Sequence, residues 1–244
     1  MTIVYESNTI IFAEVRMDEL LGNISFSVNS FCYLKDPQTS DLGKRILRGS
    51  IDLIDELGLE DFTFKKLASY IGSTEASVYR YFENKHKLLL YLTVWYWLWL
   101  EYRLVLGLAN IESVEARLCT AIRILAQEVT EDGSIPHINE QKLNRIVIAE
   151  SSKVYLTKLV DEENQEGIFA GYKRLVERLS QIVLEYNPEF KYPHMLFTTV
   201  IEGAHFQRYF AKHLPRLTDV VKGEDAIVVF YQNMVMATIQ KENG

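Results

Sequence analysis

Cysteine is nearly absent from this chain of 244 residues. Cys32 and Cys119 stand far apart, so they build neither a disulfide framework nor a thiolate metal cluster, and the expected compartment is the reducing cytoplasm. No apolar run is long enough to cross a bilayer. The longest, LLLYLTVWYWLWL at residues 88–100, falls short of the roughly 20 residues a spanning helix needs. Glu101 and Arg103 follow it at once. Met1 precedes no basic stretch and no apolar core with a cleavage site, so a secretory signal is not expected. Met17 is an alternative start. Repeats, low-complexity tracts and phosphate-cradling glycine loops are missing too.

Chemistry of the catalytic kind is equally thin. No nucleophile, base and orienting residue fall into a recognisable set, so no catalytic residue, cofactor or metal site is expected, and an enzyme is disfavoured. Glu202 and His205, three residues apart, come nearest to a metal or acid–base pair. Without a third ligand they read better as a hydrogen bond in a core or interface. The chain also lacks a basic excess, with a net charge of −7. That excludes a protein that coats nucleic acid nonspecifically. Between residues 39 and 88 the charges balance. Across 61–91 the lysines and arginines outnumber the acids, while residues 1–38 are acidic.

What is present begins at residues 62–87, FTFKKLASYIGSTEASVYRYFENKHK. Counting from Phe64, Ala68 is fifth, Gly72 ninth and Val78 fifteenth. This is helix-turn-helix spacing. Ala68 must be small where the second helix crosses, and Gly72 sits where the turn requires φ > 0, which glycine adopts at little cost. Leu67, Ile71 and Val78 supply the apolar contacts that fix the angle between the helices. A pair held so rigidly can present a few side chains to the major groove of DNA.

The longer segment FTFKKLASYIGSTEASVYRYFENKHKLLLYL resembles the DNA-binding region of TetR-type transcriptional regulators. In that family the segment closes with Y-x-Y/H-F-x-N/S-K-x-x-L-L, matched here by Tyr79, Tyr81, Phe82, Asn84, Lys85, Leu88 and Leu89. The resemblance covers about residues 40–91. It implies an all-α fold with an N-terminal three-helix DNA-binding domain and a C-terminal helical domain for ligand binding and dimerisation. The expected division is an extension at 1–38, a helix-turn-helix domain at 39–87 and an effector and dimerisation domain at 88–244.

The extension departs from the family pattern. Ile24, Phe26 and Val28 alternate with Ser25, Ser27 and Asn29, the period of a strand, and residues 9–15 are the expected partner in a short hairpin. From residue 41 onward the periodicity is helical. Helices are expected at 41–57, after Thr63, after Thr74, from Asn84 to about 108, and at 113–130, 139–159, 165–186, 193–214 and 224–240. Gly58 stands where a left-handed terminator belongs, and Pro193 fits a first helical position.

Two of these helices open with the wrong charge. Lys65 and Lys66 begin one, and Lys85 and Lys87 another, although a cation at a helix N-terminus costs roughly 0.3–1 kcal/mol. A docked DNA phosphate would remove the conflict; screening by Glu83 and solvent is the plainer account. The resemblance implies base-facing roles for Thr74, Glu75, Ala76 and Ser77, with Arg80 and Tyr81 nearby, and phosphate contacts from Thr63, Tyr79 and Lys85; Lys65, at its helix N-terminus, is a further DNA-binding candidate. Glu75 has two readings. It either accepts a hydrogen bond from a cytosine amino group or simply occupies the favourable first turn of its helix.

One reading head recognises too little sequence, so the partner is expected to be double-stranded DNA bound by a homodimer on a palindrome. The last helix is apolar nearly all round. Its Ile227, Phe230 and Met234, with Leu196, Val200, Gly203 and Ala204 of the helix before it, are the candidate dimer interface, in agreement with the four-helix dimer bundle of the resembling family. A hydrophobic or aromatic small-molecule effector is the second expected partner. Trp95, Trp99 and Tyr102 share a helix face, and with Arg103, Arg145 and His205 they are the candidate pocket. The rival reading, prompted by the acidic balance and Glu75, is a protein-interaction module that keeps the fold without reading DNA.

Overall fold

A computed structural model describes residues 26–131 and 135–240. Within them every regular element is helical. The α-helices are α1 Asp41–Asp61, α2 Phe64–Tyr70, α3 Glu75–Tyr79, α4 Lys85–Leu108, α5 Val114–Ala126, α6 Glu140–Glu150, α7 Ser152–Tyr155, α8 Val160–Gln165, α9 Ala170–Tyr186, α10 Pro193–His213 and α11 Ala226–Ile239.

Local chemistry sets most of the boundaries. Ser40 caps α1 by accepting from the Gly43 amide at 3.2 Å. Leu47, Ile51 and Ile54 form its buried stripe as their spacing predicts. Gly58 adopts a left-handed φ of 76°, after which the chain adds a further turn to Asp61. Asn84 accepts from the Lys87 amide at 2.9 Å and starts α4. This long helix is the axis of the molecule, packed by α5, α6, α7 and α9. Its run of tryptophans is therefore core. Trp95, Trp97 and Trp99 are all buried, each burying 150–250 Å² by the general measure for aromatic side chains.

Tertiary contacts move several boundaries from their expected places. The helix expected at 113–130 ends at Ala126, whose carbonyl accepts from Arg208 Nε at 2.7 Å. The one expected at 139–159 breaks after Glu150 into the short α7, which brings the Tyr155 hydroxyl to Trp97 Nε1 at 2.5 Å. Helix α9 starts at Ala170 and not at 165, because Gly167 turns the chain with a φ of 76°.

The expected hairpin is only partly testable, since residues 9–15 and 24 lie outside the described residues. Residues 26–29 form no strand. Phe26 instead packs edge-on against Trp95, with ring centroids 5.2 Å apart, and against Tyr102 at 5.8 Å. Val28 and Cys32 are buried beside it. The alternation of Phe26 and Val28 is thus that of an irregular segment docking on α4. Burial pushes the Cys32 thiol up to about 12, against a smaller opposing pull from Lys87.

Candidate nucleic-acid interface

Helices α2 and α3 form the predicted pair. Thr63 caps α2 by accepting from the Lys66 amide at 3.2 Å. Thr74 caps α3 by accepting from the Ser77 amide at 3.2 Å, and its hydroxyl also meets the Ser77 hydroxyl at 2.8 Å. Gly72 takes a φ of 63°, and the Ser73 amide closes the turn onto the Ala68 carbonyl at 2.8 Å. Inside the angle Phe64, Leu67, Ala68 and Val78 are buried. Helix α1 backs the pair through Gly49, where an added Cβ would fall 2.6 Å from Ile71 Cγ2.

With that inner face locked, the outer edge is free. Thr63, Lys65, Thr74, Glu75, Ala76, Tyr79 and Arg80 are exposed, and Ser77 is half-buried. Tyr79 rests edge-on against Phe64 at 5.0 Å, which links the outer side of α3 to the start of α2. Tyr81 departs from its expected place near the bases. It is buried, its hydroxyl shares a hydrogen bond with Ser40 at 2.8 Å, its carbonyl accepts from the Leu34 amide at 2.8 Å, and Lys35 Nζ lies 5.2 Å from the ring centroid. The motif tyrosine here fastens α3 to the extension.

Two of the four misplaced lysines, Lys66 and Lys85, have a structural partner that the sequence did not reveal. Lys66 Nζ donates to the Asp61 carbonyl at 2.7 Å, and Lys85 Nζ donates to the carbonyls of Leu59 at 3.0 Å and Glu60 at 3.3 Å. Both cations therefore sit at the negative end of α1 while opening helices of their own. Arg45 does the same for α2, donating to the Ile71 carbonyl at 2.9 Å. These contacts join residues from separate elements, so only the fold exposes them.

The candidate pocket set does not assemble. Trp95 packs against Phe26, Tyr102 packs against Phe26 too, and Arg103 lies over the Trp99 ring at 4.9 Å. His205 is buried elsewhere, stacked on Trp97 at 5.9 Å and near Tyr96 at 6.3 Å. Its Nδ1 has no hydrogen-bond partner among the described residues, and burial lowers its pKa to about 4. Glu202 does not pair with it but accepts from the Tyr172 hydroxyl at 3.1 Å, and burial raises its pKa. The unforeseen centre is Trp97, stacked on Tyr172 at 4.0 Å and bonded to Tyr155. Arg145 lines a cavity of about 590 Å³ between α1, α6 and α10 that contains none of the other five, and there it holds both oxygens of Asp55 at 2.7 and 2.6 Å.

The candidate dimer set also divides. Leu196, Val200, Ala204 and Ile227 are buried within the single chain. Gly203 serves the contact of α10 with α11, since an added Cβ would fall 2.3 Å from the Tyr231 hydroxyl. Met234 is half-buried and Phe230 is 58% exposed. Val229 and, on α10, Met195, Phe206 and Tyr209 are exposed as well. Among the described residues no group of histidines, cysteines and acids could hold a metal, and no helix is long and apolar enough to cross a membrane.

Residues 46–92 match the family model described as bacterial regulatory proteins, tetR family. No curated protein matches the chain in sequence. Solved structures resemble it in fold at low identity. Superantigen PfiT is 15% identical with a TM-score of 0.56, covering 83% of this chain and 97% of that one. AibR in complex with isovaleryl coenzyme A and operator DNA is 17% identical with a TM-score of 0.55, covering 80% and 98%. The fatty acid degradation regulator FadR from Bacillus halodurans is 16% identical with a TM-score of 0.55, covering 80% and 96%. Residues 46–92 thus match the tetR family of bacterial regulatory proteins, and the chain as a whole shares its helical fold with these solved structures.

Proposed function

We propose that the chain is a ligand-responsive, non-enzymatic transcriptional repressor that binds a palindromic operator as a homodimer. Residues 39–87 are then the reading head, and the helices after them the effector and dimerisation body. The observation that carries this is the α2–α3 pair, whose inner face is locked by Leu67, Ala68 and Val78 while Thr74, Glu75, Ala76, Tyr79 and Arg80 stand free on the outer edge. Rigid presentation of a short helix edge is what major-groove readout requires. Dimerisation through α10 and α11 is supported by the exposed apolar side chains of Met195, Phe206, Val229 and Phe230. A small-molecule effector is supported by AibR, solved with isovaleryl coenzyme A and operator DNA on the same fold. Residency in the cytoplasm follows from the same reading.

Selection of the full chain on random duplexes, followed by footprinting, tests the proposal. The expected winner is an inverted repeat with half-sites about one helical turn apart and a steep loss of affinity with salt. A winner without two-fold symmetry would refute the dimeric reading. The exposed carboxylate of Glu75 favours one rival, a protein-interaction module that has given up DNA. Failure to enrich any duplex, with a stoichiometric protein partner recovered instead, would establish it.

A further inference from the structure

The cavity at the junction of α1 with α6 and α10 carries unspent hydrogen-bond donors in its lining. One wall is apolar, made by Ile54, Val129, Ile146 and Ala149. The lining also carries the charged Arg145, Arg208 and Lys212 with Asp55, Glu128 and Glu150. Of the three carboxylates, Asp55 and Glu150 have both oxygens paired, while Glu128 adds a negative charge that acts on Arg145. Both oxygens of Asp55 accept from Arg145, Glu150 Oε1 accepts from the Leu59 amide at 3.1 Å, and Glu150 Oε2 pairs with Lys153 at 2.7 Å. The donors are not all spent. A guanidinium carries five N–H groups, and Arg145 spends Nε and one Nη on Asp55. Arg208 spends Nε on the Ala126 carbonyl and one Nη on Asp225. Lys212 is exposed and has no ion-pair partner among the described residues.

Spare donors beside an apolar wall are complementary to a ligand that brings its own acceptors on a carbon body. We propose that this cavity binds an amphipathic organic anion, with its carboxylate or phosphate on Arg145, Arg208 and Lys212 and its apolar part against Ile54, Val129 and Ile146. The regulatory consequence rests on the ligand-responsive reading above. The Asp55–Arg145 pair ties α1 to α6, alongside the Lys142–Asp52 pair and the Glu150 contact to Leu59. An arriving anion competes with Asp55 for Arg145 and so loosens the helix that backs the α2–α3 pair.

Calorimetric titration of the full chain without DNA tests the site, using decanoate, monodecyl phosphate and the neutral decanol as probes. At least one anion should bind saturably at one site per chain, and decanol should not. Ala149→Trp, which fills the cavity from an exposed position on α6, should abolish binding. Lys212→Gln, also on the surface, should weaken it severalfold. Asp55→Asn should tighten it, because the internal competitor is gone. Equal binding of decanol, full affinity in Ala149→Trp or in Lys212→Gln, or weaker binding in Asp55→Asn would each overturn the proposal. Should Asp55→Asn fail to fold, the two surface variants decide alone. Duplex binding measured separately keeps the two readings apart: anion binding without any selected duplex would sink the regulator and leave the site standing, and the reverse would sink only the site.

Discussion

His205 is buried against Trp97 and Tyr96, and that burial pulls its pKa from 6.5 down to about 4. In the unfolded chain the imidazole titrates near its ordinary value of about 6.5. Between the two values the unfolded state binds a proton that the folded state refuses. Stability therefore rises with pH through this window and is lost as the pH falls from 6.5 towards 4. The limiting slope is about 1.4 kcal/mol per pH unit, and the whole window amounts to roughly 3 kcal/mol. Glu202 on the same helix works against it. Burial raises its pKa above 4.5 despite the hydrogen bond from Tyr172, so its contribution declines as the pH rises from that value. His205→Phe separates the two, because Glu202 remains in both proteins. Urea denaturation of wild type and variant should be compared at about pH 7, 6 and 5. Near pH 7 the variant should be close to neutral, since an unpartnered Nδ1 leaves little to lose. Below about pH 6 wild type should lose ground to the variant by about 1 kcal/mol per unit. Parallel profiles would refute the assignment of a buried, neutral His205.

Gly72→Ala tests the turn, since φ is 63° there and an added Cβ meets nothing within 4 Å. The cost is then backbone strain alone, about 1 kcal/mol, or some 2–4 °C in melting temperature for a chain of this size. Gly72→Asn should lose less, and an alanine variant as stable as wild type would contradict the geometry. On the proposed DNA face, Lys65→Ala should weaken binding to all duplexes alike and reduce the salt slope by about 1, while Ser77→Ala should change base preference. Unchanged behaviour in both variants would count against the face. Phe230→Glu should convert the proposed dimer to monomer in sedimentation velocity with its helical circular dichroism intact; a surviving dimer would place the interface elsewhere.

The sequence was most legible where structure is local. Caps at Ser40, Thr63, Thr74 and Asn84 and the left-handed turns at Gly58 and Gly72 all occur as their residue types predict. Each depends on a side chain and a backbone group within a few residues. What sequence reasoning missed depends on contacts between distant segments. Trp95 and Trp99 were readable as a helix face, but α4 is buried almost all round, so no one face of it marks a pocket. Trp97 gained its polar neighbours only because α7 breaks away to deliver Tyr155. Val200 and Ala204 were rightly small or apolar, yet spacing does not distinguish packing against α11 of the same chain from packing against a second copy. Arg208, Ala149 and Asp55 come from three separate stretches, and no single window contains their cavity.

The end of α1 is where these strands of argument meet. Its last carbonyls accept from Lys66 at the start of α2 and from Lys85 at the start of α4. Its Leu59 amide donates to Glu150 of α6. Each contact to a charged group is worth more than a neutral hydrogen bond, on the order of 1.5–3 kcal/mol where it is sheltered and less where solvent reaches it. A shift of α6 relative to α1 would therefore act on one short stretch of backbone that also holds the entry to the reading pair and the entry to the central helix. This stretch is one physical link between the body and the helix edge that carries Thr74 to Arg80, alongside α4 and the side-chain pairs Asp55–Arg145 and Asp52–Lys142.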